Sequence, residues 1–124
     1  MLPERLAREV EKLGASFPEL EVVEETGTIN IIIRQFPTSD LYNRQATTLL
    51  LRLPRAYPEA GPDMFWTDPD LALKDGRIPQ NGDAIESHLG RAWRRFSWHH
   101  NRWRPSTENL ESYLAFVRRR FDRP

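Results

Sequence analysis

Leu2, Leu6, Val10 and Leu13 recur at steps of four and three, which places them on one face of a short helix. Pro3 suits the first turn, where its missing N–H costs nothing, and Gly14 is a stop. The periodicity then changes. Leu20, Val22 and Val23 form a β-prone run, Thr26 and Gly27 a turn, and Thr28 to Phe36 a second strand, so this stretch predicts a hairpin. Pro37 to Leu41 is a loop by composition, and Ala46 to Pro54 (ATTLLLRLP) is a third strand stopped by its last residue. From Tyr57 prolines crowd around one apolar patch, Met64-Phe65-Trp66, a short fourth strand with Trp66 in the core. Residues 70–82 are loop-like.

Ala84 to Trp93 predicts a helix capped by Asp83, with Ile85, His88, Leu89 and Ala92 on one face. A final helix, capped by Ser106 or Thr107, carries Leu110, Tyr113, Leu114, Val117 and Phe121 on its apolar face. Glu108 and Glu111 near its start and Arg118 to Arg120 near its end match the helix dipole. Strands followed by helices argue an α+β fold. An antiparallel meander of three to four strands is expected, with C-terminal helices packed on one sheet face and residues 1–124 forming one domain.

Composition narrows the chemistry. Eighteen basic and eighteen acidic residues cancel, so no global field draws the chain to nucleic acid or anionic membrane. There is no cysteine, which removes disulfides, thiolate metal sites and thioester chemistry and fits a reducing, cytoplasmic location. No apolar run approaches the roughly 20 residues of a membrane span. The start, MLPERLAREVEKL, alternates charge with leucine, unlike the apolar stretch of a signal peptide.

Tyr57-Pro58 with Pro62, after a strand ending Leu51-Arg52-Leu53-Pro54, resembles the Tyr-Pro-x-x-Pro-Pro signature of ubiquitin-conjugating enzymes. Trp103-Arg104-Pro105 before a capped amphipathic helix is similar to that family's Trp-x-Pro motif. The segments PDMFW, GRAWRRFSWHH and WRP resemble a bacterial branch of the superfamily, a prokaryotic ubiquitin-conjugating-like family encoded beside ubiquitin-like proteins and activating enzymes. The resemblance covers essentially the whole chain and implies the UBC-like fold. It departs at the chemistry. In active members a His-Pro-Asn tripeptide precedes Gly-x-Ile-Cys, whose cysteine carries the ubiquitin-like protein. Here Asp68-Pro69-Asp70 stands near the tripeptide position, and Gly76-Arg77-Ile78-Pro79 puts Pro79 at the nucleophile position. Asp70 in place of the asparagine has no N–H to offer an oxyanion and would repel its charge. The segment from Pro79 to Trp103 is longer than usual, as if a helix had been inserted.

Three functions follow as expectations. The first is a cysteine-free scaffold or adaptor, a pseudoenzyme of a bacterial ubiquitin-like modification system, holding a ubiquitin-like protein or its activating enzyme. The second is a transferase that uses a hydroxyl in place of the thiol. Ser87, Ser97 and Ser106 are available in the relevant half, and Ser97 lies two residues from His99, the histidine matching the bacterial branch's Ser-x-His pattern. On a strand Ser97 and His99 share a face, and on a helix they do not. The third is nucleic-acid binding through Gly90 to Pro105, where arginines and three tryptophans interleave without a carboxylate.

Arginine and tryptophan are also enriched where protein partners bind, which makes Arg94, Arg95, Trp98 and Arg102 a candidate partner surface. Trp93 and Trp103 are expected to cover the sheet's open end. His88, His99 and His100 lack metal-ligand spacing, and Asp63, Asp68, Asp70 and Asp75 read as turn-formers, so neither a metal nor another cofactor is expected.

Overall fold

The computed structural model describes the whole chain, residues 1–124. The elements are α1 (Glu4–Gly14), β1 (Glu21–Glu24), β2 (Thr28–Pro37), β3 (Ala46–Pro54), β4 (Phe65–Thr67), β5 (Ala84–His88), β6 (Arg91–Phe96) and α2 (Leu110–Asp122). The strands form one antiparallel sheet in the order β1-β2-β3-β4-β6-β5.

Alternation along the strands gives the sheet two unlike faces. Ile29, Ile31 and Ile33 on β2 stand opposite Leu53, Leu51 and Leu49 on β3. All six are fully buried in one cluster with Leu6 and Leu13 of α1 and Leu110, Tyr113, Leu114, Val117 and Phe121 of α2. A 13-residue helix is marginal on its own. Burial of five large side chains supplies on the order of 10 kcal/mol, so packing holds α2 in place. The opposite face carries a smaller cluster of Ile32, Leu50, Trp66 and Trp93. No helix covers these residues. Arg91 lies 3.9 Å above the Trp93 ring and Arg52 6.0 Å from that of Trp66.

The α+β class, the α1 helix, the β1–β2 hairpin, β3, the short β4 and buried Trp66 agree with the sequence pattern. Three expectations are corrected. The sheet has six strands rather than three to four, and one C-terminal helix rather than several. Ala84 to Trp93 is not helical: it belongs to the β5–β6 hairpin, and this hairpin is what lengthens the segment after Pro79. Leu89 and Gly90 turn the chain with φ of 55° and 78°, the two positive values a two-residue hairpin loop demands. The apparent helical face dissolves accordingly, since Ile85 is 52% exposed and Ala92 is also exposed.

The cap of α2 also moves. Asn109 accepts a hydrogen bond from Ser112 N (2.7 Å) and Ser112 Oγ accepts one from Asn109 N (2.9 Å), a reciprocal box that neither Ser106 nor Thr107 forms. Glu108 consequently lies just outside the helix.

Candidate functional site

The loop expected to hold the nucleophile is built from its anchors inward. Asp68 ends β4's exit: its Oδ2 accepts from Thr48 N (2.9 Å) and Thr47 Oγ1 (3.2 Å), and its Oδ1 from Arg91 Nη2 (2.8 Å). Burial pushes this carboxyl up, but Arg91, the Thr48 N–H and Arg44 outweigh it and hold its pKa below the usual value. Asp70 is exposed and pairs with Arg44 at 2.6 Å. Asn43, across the way, donates to Asp70 O (3.0 Å) and accepts from Ala72 N (3.1 Å), so the β2–β3 loop staples residues 70–72.

Beyond the staple, Leu73 N donates to Arg77 O (3.0 Å) and Gly76 N to Leu73 O (2.8 Å). Gly76 takes φ +89° in this tight turn, and Asp75 closes it by accepting from Arg77 N and Nε. Pro79 then sinks into the protein and is buried. Its carbonyl accepts from Gly82 N (2.9 Å), and a Cβ on Gly82 would lie 3.2 Å from that oxygen and 3.5 Å from the Phe96 ring. Arg94 clamps the turn through Gly82 O (2.6 Å) and Pro69 O (2.8 Å), and Ser97 N donates to Asn81 O (2.9 Å). The position has neither a reactive atom nor solvent access.

The two proline motifs meet on the far side. Trp103 packs on buried Tyr57 with ring centroids 5.7 Å apart and donates Nε1–H to Pro58 O (2.7 Å). Any Cβ on Gly61 would fall inside the Trp103 indole. Tyr57 Oη donates to Glu9 Oε1 (2.5 Å), which also accepts from Leu110 N (2.7 Å) at the start of α2. Arg5 completes the knot, donating to Glu9 Oε2 (2.8 Å) and to the Pro105 and Glu108 carbonyls. Burial and the Glu9 carboxylate together raise the Tyr57 pKa far above that of a free phenol.

Ser97 and His99 follow β6. His99 Nδ1 lies 2.6 Å from Asp63 Oδ1, which leaves Nε2 directed away from that partner. Ser97 Oγ accepts from Arg95 Nε (3.0 Å), and no hydrogen bond joins Ser97 to His99. Of the candidate partner residues, Arg94 is the clamp just described, and Arg95 grips Glu86 at 2.5 Å. Trp98 is half-buried beneath Arg120 at 4.5 Å, and Arg102 is exposed. Trp93 and Trp103 do not share one open end: Trp93 is buried on the helix-free face, Trp103 beside Tyr57.

The family model of prokaryotic E2 family E matches residues 4–123. The chain belongs to that family. No curated protein and no solved structure matches it. Membership in this E2-like family connects the chain to ubiquitin-like conjugation, and its two proline motifs are structural neighbours here: Tyr57-Pro58 and Trp103 brace each other, while the turn at Pro79 is packed.

Two features of this family member were not legible in its sequence. Asp63, the partner of His99, lies 36 residues before it, and Asn43 staples a loop 27 residues away. Neither spacing carries a signal, because only the β3–β4–β6 order brings those segments together. On the helix-free face Glu86 accepts from Trp66 Nε1 (2.9 Å) and contacts His88 Nε2 (2.9 Å), a knot that the helical expectation for residues 84–93 concealed. No group of three or more His, Cys, Asp or Glu side chains is placed to hold a metal ion, and no helix is long and apolar enough to cross a membrane.

Proposed function

We propose that the chain is a cysteine-free scaffold or adaptor in a bacterial ubiquitin-like modification system. It holds a ubiquitin-like protein or its activating enzyme without carrying either through a thioester. One observation carries this reading: the family match spans residues 4–123 while Pro79, at the expected nucleophile position, is buried and its turn is fastened by Arg94 and Gly82. The anionic Asp70, already paired with Arg44, supplies no oxyanion donor. Arg94 and Arg95 shape the segment from within, and Trp98 and Arg102 offer the partner surface. Calorimetry or gel filtration at tens of micromolar with the ubiquitin-like protein and activating enzyme encoded nearby should give a stable complex. Absence of association with both would sink the proposal.

A second reading rests on the His99–Asp63 pair. A carboxylate on Nδ1 orients an imidazole so that Nε2 can take a proton, the arrangement an activated hydroxyl requires. In this reading the chain is a transferase, with Ser97 as nucleophile and His99 as base. It predicts an ATP-dependent, hydroxylamine-sensitive adduct that disappears in Ser97→Ala and His99→Ala. Conjugation unchanged in both variants removes it.

A further inference from the structure

The arginines of this chain are not used uniformly. From Arg5 to Arg95 every arginine grips a carboxylate except Arg94, which holds carbonyls. After residue 100 the pattern reverses. Arg102, Arg104, Arg118, Arg119, Arg120 and Arg123 have no carboxylate partner, while Glu108 serves His100 and Ser112 and Glu111 serves Lys12. A chain of zero net charge therefore carries six arginines without a carboxylate partner after residue 100, against one unpaired carboxylate side chain there, Asp122.

Among these arginines α2 builds a stripe. Phe116 stands three and four residues before Arg119 and Arg120, and Arg123 four and three after them, all helical steps. Arg120 is laid over Trp98 (4.5 Å) and Phe116 (5.8 Å), with Nε buried and unbonded. Its two Nη atoms have no acceptor in the protein, yet they are not among the buried atoms, so the fork is offered to solvent in a fixed orientation. Arg119 and Arg123 are exposed on the same last turns. The helix dipole favours cations in this last turn, but it does not account for a guanidinium held rigid by two rings.

We propose that the Trp98–Phe116–Arg119–Arg120–Arg123 stripe is a docking surface for an acidic segment of another protein, whose carboxylates meet the three guanidinium groups. A planar fork held in place loses little entropy on pairing, which suits bidentate carboxylate recognition. Nucleic acid fits less well. Arg119 to Arg123 spans about 6 Å of helix, enough for two or three phosphates. Arg120 already occupies one face of Trp98 and approaches Phe116, which leaves less ring surface for bases to stack on.

The surface rests on charge distribution and holds whether or not the partner belongs to a conjugation pathway. Fluorescence anisotropy with a labelled octaglutamate peptide tests it, with a labelled octathymidylate as the competing class. The peptide should bind the full chain at low salt. Arg119→Glu/Arg123→Glu should weaken it at least tenfold, and Trp98→Ala several-fold by releasing Arg120. Arg8→Glu/Arg77→Glu, at arginines outside the stripe, should change it less than twofold. Arg119 and Arg123 are exposed and make no side-chain bond, so the double variant keeps the fold, which its thermal unfolding would verify. Unchanged peptide affinity in Arg119→Glu/Arg123→Glu, or tighter binding of octathymidylate than of octaglutamate, overturns the proposal.

Discussion

Pro79 and Asp68 show what a single residue contributes to this site. The absence of a nucleophile at position 79 is legible in the sequence. Its burial is not, because the turn is fastened from distant segments, by Arg94 on Gly82 O and Pro69 O and by Ser97 N on Asn81 O. A Pro79→Cys substitution therefore supplies a thiol without the access. Its thiol should react with Ellman's reagent at least tenfold more slowly in the native protein than in urea, and it should form no thioester with an activated ubiquitin-like protein. Asp68 reads as a turn-former in sequence yet ties β3 to β6. Its folded pKa lies below the unfolded value of about 3.9, so its stabilisation is complete above that pH and is lost as pH falls through the folded pKa. Asp68→Asn should cost about 1–3 kcal/mol near neutral pH. Between pH 6 and pH 3 its urea midpoint should fall less steeply than that of the wild type.

At the scale of elements, legibility followed periodicity. The α1 stripe and the β2–β3 alternation were plain because each has one buried face. The β5–β6 hairpin was hidden because Ile85, His88, Leu89 and Ala92 fall by chance at helical steps. The turn that breaks the pattern has leucine at φ 55°, where asparagine or glycine would have announced it. The start of α2 was ambiguous for another reason. Ser106, Thr107 and Asn109 are all cap-forming types, and only the reciprocal bond with Ser112 selects Asn109. Asn109→Ala should lower stability by about 1 kcal/mol and the melting temperature by a few degrees, whereas Thr107→Ala should be nearly silent in the same calorimetric scan.

Across the whole molecule, one carboxylate joins three distant parts. Glu9 on α1 accepts from Tyr57, 48 residues on, and from Leu110, 101 residues on, and Arg5 bonds the carbonyls leading into α2. Glu9→Ala leaves a buried phenol and a helix N–H without an acceptor and should cost about 2–4 kcal/mol in chemical denaturation. Tyr57→Phe, which removes donor and demand together, should cost less. That closure also sets an order of events during synthesis. The inner face of the sheet is ready as soon as β1 to β3 have left the ribosome, but its cover is α2, which carries Phe121. Isoleucine and leucine rows therefore lack the α2 part of their cover, with only α1 already made, through the translation of some sixty further residues, counted from Pro54 to the middle of α2. The largest block of apolar surface on this sheet is therefore covered last, when α2 docks.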